Sequence, residues 1–294
     1  MSKILITGAS GKLGRLVIDN LLASGKVSAS DLVAGTRDTA KLADLSGKGV
    51  EIRRVDFDDE AGLIEAFAGI GRLLIISTDV LDRPGHRLVQ HQAAVRAAKA
   101  AGVGRVYYTS IPNAETSKVS FAPDHAGTEE AIKASGMAYT ILRNGWYMQN
   151  LFMGLPPAFA SGHWYTSAGD GKTSHIARED IARATAAALA NPPSENVIYT
   201  LTGARAYSNS EIAALASAAT GKPLDVVNIT DEQLAEGMAA HGVPAPFIPT
   251  LVSFEAATRA GDLGIVTSDA EKLVGAPLVT LETFIETNSA SLAG

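Results

Sequence analysis

The run Ile4-Leu5-Ile6-Thr7 passes directly into Gly8-Ala9-Ser10-Gly11-Lys12-Leu13-Gly14, and a stripe of Leu13, Leu16, Val17 and Leu21 follows at helical spacing. A short apolar run, three glycines spaced G-x-x-G-x-x-G and an amphipathic stretch make one strand–turn–helix unit. Each glycine has its own reason. Gly8 permits the tight turn out of the strand, Gly11 lets backbone N–H groups approach an anion, and Gly14 lets the helix pack close to the sheet. Three glycines alone also suit a plain structural turn. A strand before them and an amphipathic helix after them are the context in which such a loop holds a dinucleotide pyrophosphate.

The same alternation continues through the first half of the chain. Strands are expected at 4–7, 32–36, 51–55, 73–77, 105–109 and 138–142, with helices between them, as in successive right-handed βαβ crossovers. Gly102, just past an alanine-rich helix ending near Ala101, suits a C-terminal cap in the left-handed region. The fold class expected is a Rossmann-type doubly wound parallel sheet with a smaller C-terminal α/β lobe. After about Asn150 the rhythm changes to longer loops, more prolines and helices with capping-box starts at Ser208-x-x-Glu211 and Thr230-x-x-Gln233. The expected division is therefore 1–150 for dinucleotide binding and 151–294 for the substrate lobe, whose elements are free to return to the first sheet. In that lobe strands are expected at 197–201 and 224–229, and helices near 179–190, 208–220, 231–241 and 254–260.

Composition removes several functions. A net charge of −6 and a pI near 5.5 offer no basic surface for nucleic acid or an anionic membrane. The absence of cysteine excludes disulfides, a thiolate nucleophile and Cys-ligated metal centres, and fits a reducing, cytoplasmic setting. No apolar run approaches the roughly 18 residues of a membrane span. Gly171-Lys172-Thr173 resembles the end of a Walker loop, but Thr166 stands where its first glycine belongs. A G-x-S-x-G elbow is missing. Of six scattered histidines, the closest pair, His86 and His91, is five apart and on different helix faces, so a metal site is not expected.

Arg37 follows the second strand, in Ala34-Gly35-Thr36-Arg37, where an NAD-preferring chain would place an acidic residue on the ribose 2′-hydroxyl. A guanidinium suits a 2′-phosphate, so NADP(H) is the expected cofactor. The alternative is a solvated surface charge. Lys12 adds a second positive charge inside the loop, or points to water.

Four segments carry a resemblance: the loop 7–14, Tyr107-Tyr108-Thr109-Ser110, the block Thr140-Ile141-Leu142-Arg143-Asn144-Gly145-Trp146-Tyr147, and the ending Ser268-Asp269-x-x-Lys272-Leu273-x-Gly275. Together they resemble the NmrA-like atypical short-chain dehydrogenases, in particular their quinone- and triphenylmethane-reducing members, over nearly the whole chain. The resemblance implies that Ser77, Thr78 and Asp79, with Leu142, Arg143, Asn144, Gly145, Trp146 and Tyr147, line the nicotinamide end. It further implies Asp56 and Phe57 near the adenine and Arg178 on the cofactor. Other readings stay open: Asp56 and its acidic neighbours favour a helix N-terminus, and Trp146 and Tyr147 suit a core.

Typical short-chain dehydrogenases transfer a proton through Tyr-x-x-x-Lys. None of the seven tyrosines here has a lysine four residues on. Where related NmrA-like reductases carry a lysine, the run 121–129 places His125. The expected activity is therefore NADPH-dependent hydride transfer to a quinone or similar planar, electron-poor acceptor. Ser110, His125 and Asn144 are the candidate catalytic groups, and Asn144, Trp146 and Tyr147 the acceptor-binding ones, in a pocket at the carboxyl ends of the strands roofed by the second lobe. Rival readings are an NADP(H)-binding redox sensor without turnover, and an ether or carbonyl reductase or epimerase of the same fold. The expected partner is a small aromatic molecule, with a homodimer left open as the assembly.

Overall fold

The computed structural model describes residues 2–81 and 83–294. Its first part alternates strand and helix as expected: β1 (Lys3–Ile6), α1 (Lys12–Ala23), β2 (Leu32–Thr36), α2 (Ala43–Ser46), β3 (Glu51–Arg54), α3 (Glu60–Phe67), β4 (Ile70–Ile75), α4 (His86–Ala100), β5 (Arg105–Ser110), α5 (Ala122–Ser135) and β6 (Ala138–Asn144). It continues with β7 (Trp146–Tyr147), α6 (Leu151–Ser161), β8 (His163–Thr166), β9 (Lys172–Thr173), β10 (His175–Ile176), α7 (Arg178–Ala190), β11 (Val197–Leu201), β12 (Tyr207–Ser208), α8 (Asn209–Thr220), β13 (Asp225–Asn228), α9 (Asp231–Ala240), α10 (Ile248–Arg259), α11 (Asp269–Val274), α12 (Leu281–Thr287) and α13 (Ser289–Leu292).

Seven strands form the main sheet in the order β11-β6-β5-β4-β1-β2-β3. Strands β1 to β6 pair in parallel, with Ile4 opposite Leu32, Leu5 opposite Leu73 and Val106 opposite Tyr139. From β1 the chain builds outward through β2 and β3, then returns to the other side of β1 for β4, β5 and β6. The strand order therefore reverses between β1 and β4, and in open α/β sheets ligands bind in the crevice outside the carboxyl ends at that point. One core joins Leu5, Val33, Leu73, Ile75 and Tyr108 of the sheet to Leu63 and Phe67 of α3 and Ala94, Ala97 and Ala98 of α4. On α1 the buried residues are Leu13, Gly14, Val17, Ile18 and Leu21. Leu16, expected on that stripe, is half-buried, and Ile18 takes its place.

The chain divides not at one boundary near 150 but into two interleaved units. The first runs through Ile111 and adds Asp124–Arg143 and Ile181–Tyr199; the second comprises Pro112–Pro123, Asn144–Asp180 and Thr200–Gly294. The strand expected at 197–201 in the second lobe is β11, at the edge of the main sheet. Strand pairing is non-local, so a linear boundary misplaces it.

The second unit carries three two-stranded pairings, β7 with β10, β9 with β12 and β8 with β13. Its core gathers Met148, Leu155, Ile212, Leu281, Phe284 and Ile285. Both capping boxes form, at Ser208 with Glu211 and at Thr230 with Gln233. Helices α6, α11, α12 and α13 lie outside the expected set and α10 begins early; in α6 and α10 proline is the reason. In α10 the helix starts at Ile248, six residues before the expected 254, because Pro249 sits in the first turn, where its missing N–H costs nothing. Pro156 and Pro157 stand inside α6, a stretch that its prolines mark in the sequence as a loop.

Candidate functional site

The glycine loop sits at the carboxyl end of β1. Gly8 has φ +59°, which only glycine adopts freely, and its carbonyl accepts the Gly11 N–H at 2.9 Å. A Cβ on Gly14 would stand 2.4 Å from the Gly8 oxygen, so the loop and the first turn of α1 are in contact through that missing side chain. The N-cap of α1 is Gly11, and no side chain caps it. The leading N–H groups of the helix are thus left without intrahelical or side-chain acceptors, and they carry the positive end of the helix dipole. Ser10 ties the loop to the end of β2 through a 2.9 Å hydroxyl contact with Thr36, and the Ala9 N–H donates to the Gly35 carbonyl at 3.0 Å. Lys12 and Arg37 are both exposed, and neither has a hydrogen-bond or ion-pair partner among the described residues.

Asp56 and Phe57, expected near the adenine, are partly committed elsewhere. The Asp56 carboxylate accepts from the Asp58 N–H at 3.2 Å and from Arg54 at 2.8 Å, and Phe57 packs against the sheet core. Asp59, not Asp56, caps α3, accepting the Gly62 N–H at 3.0 Å.

Past β4 the chain has no regular structure and is held by hydrogen bonds. The Ile76 N–H donates to Thr7 Oγ1 at 2.9 Å, the Ser77 N–H to Thr109 Oγ1 at 2.9 Å and the Thr78 N–H to His91 Nε2 at 3.0 Å. The Thr78 hydroxyl is buried and has no partner among the described residues, while Asp79 is exposed.

Ser110 and Arg143 converge on a residue that the sequence reading missed. Ser110 Oγ donates to Glu129 Oε1 at 2.7 Å, and Arg143 grips the same carboxylate with Nε at 2.9 Å and a terminal nitrogen at 2.6 Å. Glu129 is 1% exposed, and Lys133 stands 3.4 Å away one turn on. A Glu and a Lys four residues apart read as an ordinary surface pair, which is why its burial left no mark in the sequence. Leu142 is buried in β6.

His125, expected beside the acceptor, is 2% exposed inside the first unit. Its Nδ1 lies 2.8 Å from the Tyr108 hydroxyl and its Nε2 lies 3.2 Å from Arg87. Burial first, then the Arg87 charge and the neighbouring His91, hold the imidazole well below its usual pKa, so it is neutral at physiological pH. The structure makes it part of a polar core.

In the second unit Asn144 is buried, and its Oδ1 has no partner among the described residues. Gly145 is a close-approach position: its N–H donates to the Leu201 carbonyl at 2.8 Å, and a Cβ would meet that oxygen at 2.8 Å. Trp146 is half-buried, edge-on to Phe254 with ring centroids 4.6 Å apart. Arg178 lies over the Tyr147 ring at 4.9 Å, and burial pushes the Tyr147 phenol up, partly offset by Arg178 and the Asn144 amide.

A dinucleotide fits what the first unit presents. The uncapped helix start suits a pyrophosphate, the unpaired Arg37 and Lys12 suit a further phosphate, and the orphaned Thr78 hydroxyl lacks a partner that a ligand would supply. No group of three metal-binding side chains occurs among the described residues, and no helix there is long and apolar enough to cross a membrane.

The chain is 36% identical to quinone oxidoreductase 2 of Escherichia coli over 278 residues, 95% of this chain and 96% of that protein. With the NAD(P)H azoreductase of Xenophilus azovorans it shares 33% identity over 290 residues, 98% of each chain. Among solved structures, the Citrobacter sp. triphenylmethane reductase complexed with NADP(H) superposes with a TM-score of 0.90 at 34% identity, covering 97% of this chain and 99% of that one. The profile of the NmrA-like family matches residues 1–282, and the chain belongs to that family.

Proposed function

We propose that the protein is an NADPH-dependent oxidoreductase that reduces a quinone or a similar planar, electron-poor acceptor. The observation that carries the reading is the unpaired Arg37 beside an uncapped glycine loop; the named activities of the relatives support the acceptor class. The N–H groups at Lys12 to Gly14 hold the pyrophosphate, with the Ser10–Thr36 contact fixing the loop. Arg37 and Lys12 hold the 2′-phosphate. Asp56 and Phe57 border the adenine. In the first unit Ser77 to Asp79, with Leu142 and Arg143, serve the nicotinamide end. NADPH, when bound, supplies the hydride.

Of the candidate catalytic groups, Asn144 is favoured. Its buried Oδ1 is unpartnered, whereas Ser110 faces Glu129 and His125 faces Tyr108 and Arg87. A carbonyl that accepts hydride becomes a basic alkoxide and needs a placed acid. A reduced quinone spreads its charge over the ring and far oxygen, so hydrogen bonds and water suffice. The missing Tyr-x-x-x-Lys pair is then no obstacle, and the side chains contribute chiefly by positioning.

The test is NADPH consumption against a panel of quinones, azo and triphenylmethane dyes, and simple carbonyls. Turnover with quinones or dyes and none with carbonyls is expected. Tight NADPH binding with no turnover on any acceptor would favour the redox-sensor reading instead.

A further inference from the structure

His91 lies on the buried face of α4 and is 0% exposed. A polar ring inside an apolar core is costly unless both nitrogens are satisfied. They are, with a fixed polarity. Nε2 accepts the Thr78 N–H at 3.0 Å, so the ring proton sits on Nδ1, which faces Thr128 Oγ1 at 3.0 Å. The Thr128 hydroxyl in turn donates to the Asp124 carbonyl at 2.6 Å, leaving its oxygen free to accept from the ring. Tyr108 packs edge-on to the imidazole, centroids 5.6 Å apart. Burial, with a smaller contribution from the Arg87 charge, holds the pKa of His91 down to about 3, so the Nε2 lone pair is available at any physiological pH.

The acceptor that this ring offers is spent on one backbone position at the crevice. β1 has β2 on one side and β4 on the other. The β2 side carries Arg37, so the half of a dinucleotide remote from the 2′-phosphate meets the β4 side, where Ser77, Thr78 and Asp79 follow the strand. Thr7 and Thr109 pin Ile76 and Ser77, and His91 pins Thr78, the residue whose buried hydroxyl lacks a partner among the described residues.

We propose that His91 is a positioning residue for the cofactor: by accepting the Thr78 N–H it fixes the Ser77 to Asp79 segment against the nicotinamide half of the dinucleotide. The inference rests on the NADPH reading above. Its test therefore compares two ligands, NADPH and adenosine 2′,5′-bisphosphate, which carries the 2′-phosphate but no nicotinamide. Wild type is titrated with both, beside His91→Leu, which offers no acceptor, and His91→Gln, whose amide can accept from Thr78 and donate to Thr128.

Loss of the buried acceptor is expected to weaken NADPH about tenfold in His91→Leu, with a parallel rise in its KM and a smaller change in kcat. Adenosine 2′,5′-bisphosphate should bind within about twofold of wild type, and His91→Gln should recover most of the NADPH affinity. Equal weakening of both ligands, unchanged NADPH affinity, or no recovery by glutamine would overturn the proposal. Failure of wild type to bind NADPH would instead overturn the cofactor reading on which it rests. Imidazole 15N spectra of the wild-type protein give a readout independent of variant folding. An unprotonated Nε2 that shifts on adding NADPH but not the bisphosphate is expected, and a proton on Nε2 would overturn the assignment.

Discussion

Arg37 tests the cofactor assignment most directly, because it has no internal partner to lose. Arg37→Ala should weaken NADPH by about ten- to a hundredfold, the range of a charge-assisted contact, and leave NADH nearly unchanged. Fluorescence titration with both cofactors checks it, and an unchanged affinity ratio would show a merely solvated charge. His125→Ala should behave in the opposite way. It takes one buried partner from each of Tyr108 and Arg87, so a loss of about 1–3 kcal/mol in stability is expected, with quinone turnover lowered by less than about tenfold. Turnover reduced by a thousandfold or more, with folding and NADPH affinity intact, would make His125 the acid after all. Trp146→Ala should raise the KM for the acceptor more than the Kd for NADPH. Equal changes would make Trp146 a core residue, in keeping with its contact with Phe254. In the sequence His125 and Ser110 were candidates by position; that their polar atoms turn toward buried partners was not legible there, because those partners lie on other elements.

At the scale of the element, the loop and α1 separate a glycine needed for folding from one needed for the ligand. Gly14 lies on the buried face of α1, and a Cβ there meets backbone atoms of Gly8 and Ala9 at 2.4 to 3.0 Å. Gly11 has φ −81°, open to any residue, and an added Cβ comes no nearer than 3.2 Å to the Gly8 oxygen. Gly14→Ala should therefore cost about 1–3 kcal/mol in stability as well as cofactor affinity. Gly11→Ala, whose Cβ would press less closely on the Gly8 oxygen, should cost clearly less stability, about 0.5–1 kcal/mol, while NADPH binding weakens. Thermal unfolding with and without NADPH distinguishes the two; a stability loss as large for Gly11→Ala would make it structural too. The six strands and the loop were legible in the sequence because β-branched runs, glycine spacing and helical stripes are local signals. The helices α6 and α10 were obscured by prolines whose tolerance depends on where the first turn falls.

Across the whole molecule, three buried histidines should set the response to acid. Burial holds His91 at about 3, His175 at about 4 and His125 well below the usual range. Above the unfolded value near 6.5 neither state is protonated at these residues, and stability does not depend on them. Below it the unfolded chain takes up protons that the folded chain refuses. Stability therefore falls with pH, by about 1.4 kcal/mol per pH unit for each histidine, until the folded pKa is reached. Tm should be level between pH 7 and 8 and decline below pH 6, and the decline should be shallower in His91→Gln. An equally steep decline in that variant would show that the ring is not neutral in the folded state.

The sequence by itself determined the class of sheet and the expectation of a phosphate loop, of NADP(H) and of a quinone-like acceptor, since each rests on residues close together in the chain or on the absence of a short motif. Tertiary structure decided the rest. It returned β11 to the main sheet, interleaved the two units, buried Glu129 under Ser110 and Arg143, and set His91 beneath Thr78. Those placements depend on strand pairing and on donors and acceptors meeting across elements. Pairs such as Ser110 with Glu129 and Thr78 with His91 carry no local periodicity that would announce them.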